Sequence, residues 1–73
     1  MALLTVPAPM TGTIKEVLCA SGDQVSGGQE IFIFESMKME IPVECPQAGR
    51  VAEVLAEAGQ HIEEGDPLLS LDA

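Results

Sequence analysis

Pro9-Met10-Thr11-Gly12-Thr13-Ile14-Lys15-Glu16-Val17-Leu18 and Pro46-Gln47-Ala48-Gly49-Arg50-Val51-Ala52-Glu53-Val54-Leu55 are two versions of one segment, 37 positions apart. The same shift carries Gly22 onto Gly59, Gly28 onto Gly65 and, upstream, Val6 onto Val43. Apolar positions match in kind: Leu4 with Ile41, Ile14 with Val51, Val25 with Ile62, Ile31 with Leu68, Phe34 with Leu71. The 28 pairs from Pro9 onward contain seven identities, and the glycines and the apolar pattern fall into step with them. Two copies are too few for a solenoid, in which each unit needs neighbours to cover its apolar face. The expected solution is two halves packed about a pseudo-twofold axis.

Each copy reads as short strands. Residues 13–18 and 50–55 are rich in β-branched and aliphatic side chains, and Glu30-Ile31-Phe32-Ile33-Phe34-Glu35 is apolar on both faces, as a buried strand requires. Met39, Ile41 and Val43 alternate with Glu40, Pro42 and Glu44, a half-buried strand of period two. Pro42 has no N–H to donate to a ladder, so this strand should lie at an edge or meet a gap there. Glycine pairs at residues 22–23, 27–28, 59–60 and 65–66 punctuate the pattern, Gly27-Gly28 as a doublet and the others with a polar neighbour. The segment Val51 to Ala58 carries Ala, Glu and Leu and resembles a helix, but its partner Ile14 to Ser21 does not, so the repeat predicts strand in both. The fold class is all-β: a flattened barrel or sandwich of about eight short strands with almost no helix, one domain over residues 1–73.

Lys38 falls at the seam between copies, opposite Met1 in the repeat. A twofold operation maps that seam onto the gap between Ala73 and Met1, so Lys38 and the chain ends are expected at opposite poles. Two strands flank Ser36-Met37-Lys38-Met39 without Gly, Asn, Asp or Pro between them. A two-residue hairpin of type I′ needs φ > 0 at both central positions and normally takes Asn-Gly or Asp-Gly. Met and Lys suit it poorly, which suggests that something other than folding selected them.

Bulk properties narrow the function. At 73 residues there is little room for a deep cleft beside a core. A formal net charge of −9 disfavours nucleic acid and anionic membrane and suits docking against basic surfaces. Cys19 and Cys45 are too few for a disulfide scaffold, and with His61 the only histidine no zinc site is expected. The first residues lack a basic n-region, and no apolar run is long enough to span a membrane. The expected compartment is therefore reducing: the cytoplasm, or the mitochondrial matrix in a eukaryotic source. The absence of an Ala- or Pro-rich linker before residue 1 favours a stand-alone chain, expected to be monomeric when isolated.

Glu35-Ser36-Met37-Lys38-Met39-Glu40 resembles the Glu-Ala-Met-Lys-Met attachment signature of biotin carboxyl carrier domains, with Ser36 in place of Ala. Ala8-Pro9-Met10-Thr11-Gly12, Gly22-Asp23-Gln24-Val25, Gly28-Gln29 and Cys45-Pro46-Gln47-Ala48-Gly49 are similar to further motifs of that family, so the resemblance covers essentially the whole chain. It implies a flattened β-barrel, or barrel-sandwich hybrid, of two four-stranded sheets with quasi-twofold symmetry, and a lysine on an exposed hairpin turn. It also implies biotin as covalent cofactor on Lys38, attached by a biotin protein ligase. The partners it implies are a biotin carboxylase that loads a carboxyl group and a carboxyltransferase or decarboxylase that unloads it, with no catalysis by the carrier. The short stretch Cys19-Ala20-Ser21-Gly22 leaves no space for the protruding insertion of some acetyl-CoA carboxylase carriers. Met37 and Met39 are expected to set how partner active sites accept the arm, and Glu35, Ser36 and Glu40 to form the rim that the ligase and partners see. Three rivals remain at this point: a lipoyl carrier, whose Asp-Lys motif followed by Ala or Val does not match Met37 and Met39, a structural or interaction domain that is no longer modified, and a fragment cut from a multidomain carboxylase.

Overall fold

The computed structural model describes residues 3–73. Eight strands follow in order: β1 (Leu3–Pro7), β2 (Gly12–Val17), β3 (Gln24–Val25), β4 (Glu30–Ser36), β5 (Met39–Glu44), β6 (Gly49–Val54), β7 (His61–Ile62) and β8 (Pro67–Asp72). Among the described residues there is no helix, and the helix-like segment beginning at Val51 is a strand as far as Val54. The strands form two four-stranded antiparallel sheets, ordered β1-β8-β6-β3 and β5-β4-β2-β7. Adding 37 to each strand of one half reproduces the other half, so the sheets are related as the repeat predicts.

The core is where the repeat is most nearly complete. The buried apolar residues fall into pairs 37 apart: Val6 with Val43, Ala8 with Cys45, Ile14 with Val51, Cys19 with Ala56, Val25 with Ile62, Ile31 with Leu68, Phe32 with Leu69, and Phe34 with Leu71. No described buried residue is polar or charged. Turn chemistry repeats as well. Gly22, Gly28, Gly59 and Gly65 all have φ between 86° and 95°, a region open to glycine at little cost. A side chain clamps each of these turns by accepting a backbone N–H three residues earlier: Asp23 from Ala20 (2.9 Å), Gln29 from Ser26 (3.0 Å), Gln60 from Glu57 (3.1 Å) and Asp66 from Glu63 (3.0 Å).

The two four-stranded sheets are as expected, and closure into a barrel is decided at their edges. Among the described residues no ladder joins β1 to β5 or β3 to β7, so the molecule is a sandwich of two open sheets. Pro7, Pro9, Pro42 and Pro46 line the groove between the β1 and β5 edges, and none of them has an N–H with which to close it. Pro42 lies on an edge strand, as its chemistry requires.

Register and connection lengths place the two ends of the molecule. Leu3 pairs Asp72, and Arg50 also pairs Asp72, so the described chain ends lie where β6 begins. At the other end of that sheet Pro7 pairs Pro67, and only four residues lead from Pro7 to Gly12. Gly12 is level with Ser36 at the β4–β5 turn: a Cβ on Gly12 would stand 3.6 Å from that of Ser36. The turn and the chain ends are therefore at opposite poles of a body 37 Å long. Met1, the repeat partner of Lys38, lies outside the described residues.

Gly12 carries a prediction. A Cβ there would meet the Glu35 carbonyl oxygen at 3.1 Å and the ring of the fully buried Phe34 at 3.2 Å, so both must yield by a few tenths of an ångström inside a packed core. Its partner Gly49 would meet the Asp72 carbonyl oxygen at 3.1 Å, but its other neighbour is the terminal Ala73. Gly12→Ala is expected to cost about 1–3 kcal/mol as an overpacked site, and Gly49→Ala less. Urea denaturation of the two variants checks the order.

Candidate functional site

The β4–β5 hairpin is held by its inner pairs and strained at its tip. Phe32 pairs Val43 and Phe34 pairs Ile41, which bury the hairpin base. The last pair is Ser36 with Met39, leaving Met37 and Lys38 as a two-residue turn. Both have positive φ, 51° and 65°, and they are the only described non-glycine residues that do. This is the left-handed conformation that a type I′ hairpin demands and that side-chain-bearing residues adopt at a cost on the order of 1 kcal/mol each.

The tip projects into solvent. Met37 is 92% exposed and Met39 61%, and Lys38, Glu35 and Glu40 are exposed too, whereas Ser36 is half-buried against Gly12. At that exposure Met37 does not act as core packing. Among the described residues Lys38 forms no ion pair. Register then sets the flanking charges. Glu35 lies directly opposite Glu40, Thr13 opposite Glu35, and His61 opposite Thr13, a transverse row across all four strands of the sheet on one face. His61 Nε2 approaches Glu63 Oε1 at 3.4 Å, and the Thr11 hydroxyl accepts the Glu64 N–H at 3.1 Å, anchoring the acidic β7–β8 loop beside Gly12.

Lys15, on β2, donates to Glu40 Oε2 across the intervening strand β4. The Glu40 carboxylate holds the Lys15 ammonium above the usual lysine range, with Glu35 and Glu16 adding to the effect. The cysteines are buried free thiols remote from the tip chemistry; burial pushes the Cys19 thiol up, away from the reactive thiolate.

Comparison with known proteins fits this geometry. The family model described as biotin-requiring enzyme matches residues 4–71. The chain belongs to the biotin/lipoyl family. Within that family it is 46% identical over 68 residues to the biotin/lipoyl attachment protein of Bacillus subtilis (strain 168), covering 93% of each chain. It is 43% identical over 67 residues to the biotin carboxyl carrier protein of Streptococcus mutans, covering 92% of this chain and 52% of that protein. Among solved structures, a single-chain, multi-domain long-chain acyl-CoA carboxylase superposes with a TM-score of 0.87 at 34% identity, over 93% of this chain and 7% of that one. The urea carboxylase of Kluyveromyces lactis superposes at 0.88 and 28% identity, over 99% of this chain and 6% of that one. The chain thus spans nearly all of the first relative, about half of the second and a small part of each carboxylase.

In this biotin/lipoyl-family fold the sequence-predicted residues Glu35 through Glu40 gather at one tip, while Lys15 was not among them. Its only sequence signal is that the repeat sets a charged Lys15 against a small Ala52. The tip is also a place to gain stability. Met37→Asn combined with Lys38→Gly relieves both left-handed residues, and about 1 kcal/mol of relief raises Tm by roughly 4–8 °C in a domain of this size. Differential scanning calorimetry reads it, and an unchanged or lower Tm contradicts the strain.

Proposed function

We propose that the protein is a biotin carrier: a biotin protein ligase acylates Lys38, and residues 1–73 present the resulting arm in turn to a biotin carboxylase and to a carboxyltransferase or decarboxylase. The observation that carries this reading is the exposed, unpaired Lys38 on a strained left-handed turn, at the pole away from the chain ends. Membership of the biotin/lipoyl family supports covalent biotin, as does the similarity to a biotin carboxyl carrier protein.

The side chains at the tip have separable tasks. Lys38 must act as a neutral amine; its Nζ forms a bond to the carbonyl carbon of biotinyl-adenylate, AMP leaves, and the surplus proton passes to solvent or to the ligase. An ordinary lysine is neutral in only about one molecule in a thousand at neutral pH, so activation falls to the ligase. The amide is uncharged, and the chain becomes one unit more negative. When bound, biotin supplies a ureido nitrogen that takes up a carboxyl group at one active site and releases it at another. Lys38 contributes a flexible stem, giving an arm with a reach on the order of 10–15 Å. Tethering holds the group at an effective concentration of order mM near partner sites. Met37 and Met39 present adaptable apolar surface beside the lysine, suited to partner active sites. Glu35, Ser36 and Glu40 form the rim seen by the ligase. The chain itself makes and breaks no substrate bonds, and it works in a cytoplasmic or mitochondrial matrix setting.

Co-expression with a biotin protein ligase tests the reading. The purified chain should gain the mass of one biotinyl group, bind avidin, and carry the group on the peptide containing Lys38. A chain that gains a lipoyl mass without avidin affinity is a lipoyl carrier, and one that stays unmodified is an interaction domain.

A further inference from the structure

The core repeats but the charges do not, and the difference centres on the turn. Both halves contain the same β-bulge: register shifts between Ile14 and Glu16 in β2, and between Val51 and Glu53 in β6. A bulge re-aims the side chain it holds. In β6 that residue is Ala52, which reaches nothing; in β2 it is Lys15, which reaches Glu40. The repeat partner of Glu40 is Leu3, so both members of the Lys15–Glu40 pair are lacking at the pole of the chain ends. The bulge therefore belongs to the fold, and the ion pair belongs to the half that bears the lysine turn.

Glu35 and Glu40 face each other one pair below Ser36 and Met39, and like charges directly opposite are unfavourable. They are also the nearest carboxylates along the chain to Lys38. Glu40 is two residues away, roughly 7 Å in extended chain and within reach of a lysine side chain. An ammonium captured there is stabilised in its charged form and lost as a nucleophile. The other charged groups at this end are Glu16 on β2, His61 on β7, and Glu63, Glu64 and Asp66 in the β7–β8 loop, of which His61 and Glu63 engage each other.

We propose that Lys15 is a positioning residue for Lys38: by occupying Glu40 it keeps the carboxylate two residues along the chain from capturing the acceptor amine. Lys15 takes the Glu40 carboxylate, and Lys38 is exposed and forms no ion pair among the described residues. This rests on the reading of Lys38 as the acceptor, but its consequence can be measured without a ligase.

The test is the rate of Lys38 acetylation by N-hydroxysuccinimidyl acetate, followed by peptide mass spectrometry between about pH 7 and 10. The full chain is compared with Lys15→Gln, Glu40→Gln and the double variant. Lys15→Gln should slow Lys38 by about two- to fivefold near neutral pH, the size of an exposed ion pair, and move its pH–rate profile upward. The double variant should return to the wild-type profile, because the released carboxylate is gone. A Lys38 rate unaffected by Lys15→Gln, or a double variant as slow as Lys15→Gln, overturns the proposal. Thermal melts separate a folding defect from an effect on the amine, since a merely structural role would not shift the profile. Ligase-catalysed biotinylation of the wild-type chain is run alongside: its failure counts against the carrier reading, whereas an unshifted acetylation profile counts against the role of Lys15 alone.

Discussion

Lys38→Arg abolishes biotinylation and leaves the fold intact. Arg keeps the positive charge and the length of the stem, but a guanidinium stays protonated at any accessible pH and offers no free amine to an acyl donor. The structural cost is small because the side chain is exposed, forms no ion pair among the described residues, and sits in a turn already occupied by a non-glycine residue at φ 65°. The variant should therefore melt within about 0.5 kcal/mol of wild type, as surface substitutions usually do. After co-expression with the ligase, avidin binding and the added mass should both be lost. Biotin retained on Lys38→Arg would move the site to Lys15, since the chain has no other lysine. That outcome would defeat both the carrier geometry and the positioning role assigned above.

Phe34→Ala is expected to remove a large share of the domain's stability. Phe34 is fully buried, its ring lies against Gly12, and it pairs Ile41 in the hairpin that carries the tip. Truncating a buried Phe costs about 3–5 kcal/mol. A domain of 73 residues has in total roughly 4–11 kcal/mol, at 0.05–0.15 kcal/mol per residue. The loss is thus between about a quarter and all of the available stability, visible as a marked fall of the urea midpoint. Leu71→Ala, at the repeat-equivalent site, should cost about 2–5 kcal/mol, since both halves contribute to one core. Leu3→Ala, at a largely exposed position, should change little. A Phe34→Ala variant within 1 kcal/mol of wild type would mean that the hairpin is not anchored as described. It would also leave the protruding turn without a rigid base.

The two variants probe separate layers. One removes the reacting atom and spares the scaffold; the other removes the scaffold and spares the reacting atom. The strain at Met37 and Lys38 lies between them. A hairpin can carry two left-handed residues with side chains only because Phe32 and Phe34 over-determine the register beneath the turn. The Asn and Gly substitutions at the tip should accordingly stabilise the domain while destroying its proposed use.

Much of this molecule is legible in its chain. Burial needs apolar side chains at fixed spacing, and a duplicated core must write that spacing twice, so the 37-residue shift foretells five of the eight buried pairs, among them Val6–Val43 and Phe34–Leu71, while Leu4, matched with Ile41, is exposed. Glycine at positive φ and proline without an N–H are local constraints, which is why the turns at Gly22, Gly28, Gly59 and Gly65 and the edge placement of Pro42 were readable from composition. The strained turn at Met37 and Lys38 was readable because both residues break the local rule for it. Three features were decided only in three dimensions. The open edges of β3 and β7 depend on how far apart two sheet edges settle, which no pattern of period two encodes. The facing of Glu35 and Glu40, and the row they form with Thr13 and His61, follow from ladder register. The reach of Lys15 to Glu40 needs the sheet order and a bulge together. The sequence by itself determined what is buried and where the chain turns, because those depend on each residue's own chemistry. Which charges meet around the lysine was left to the tertiary structure, because that depends on distances between residues far apart in the chain.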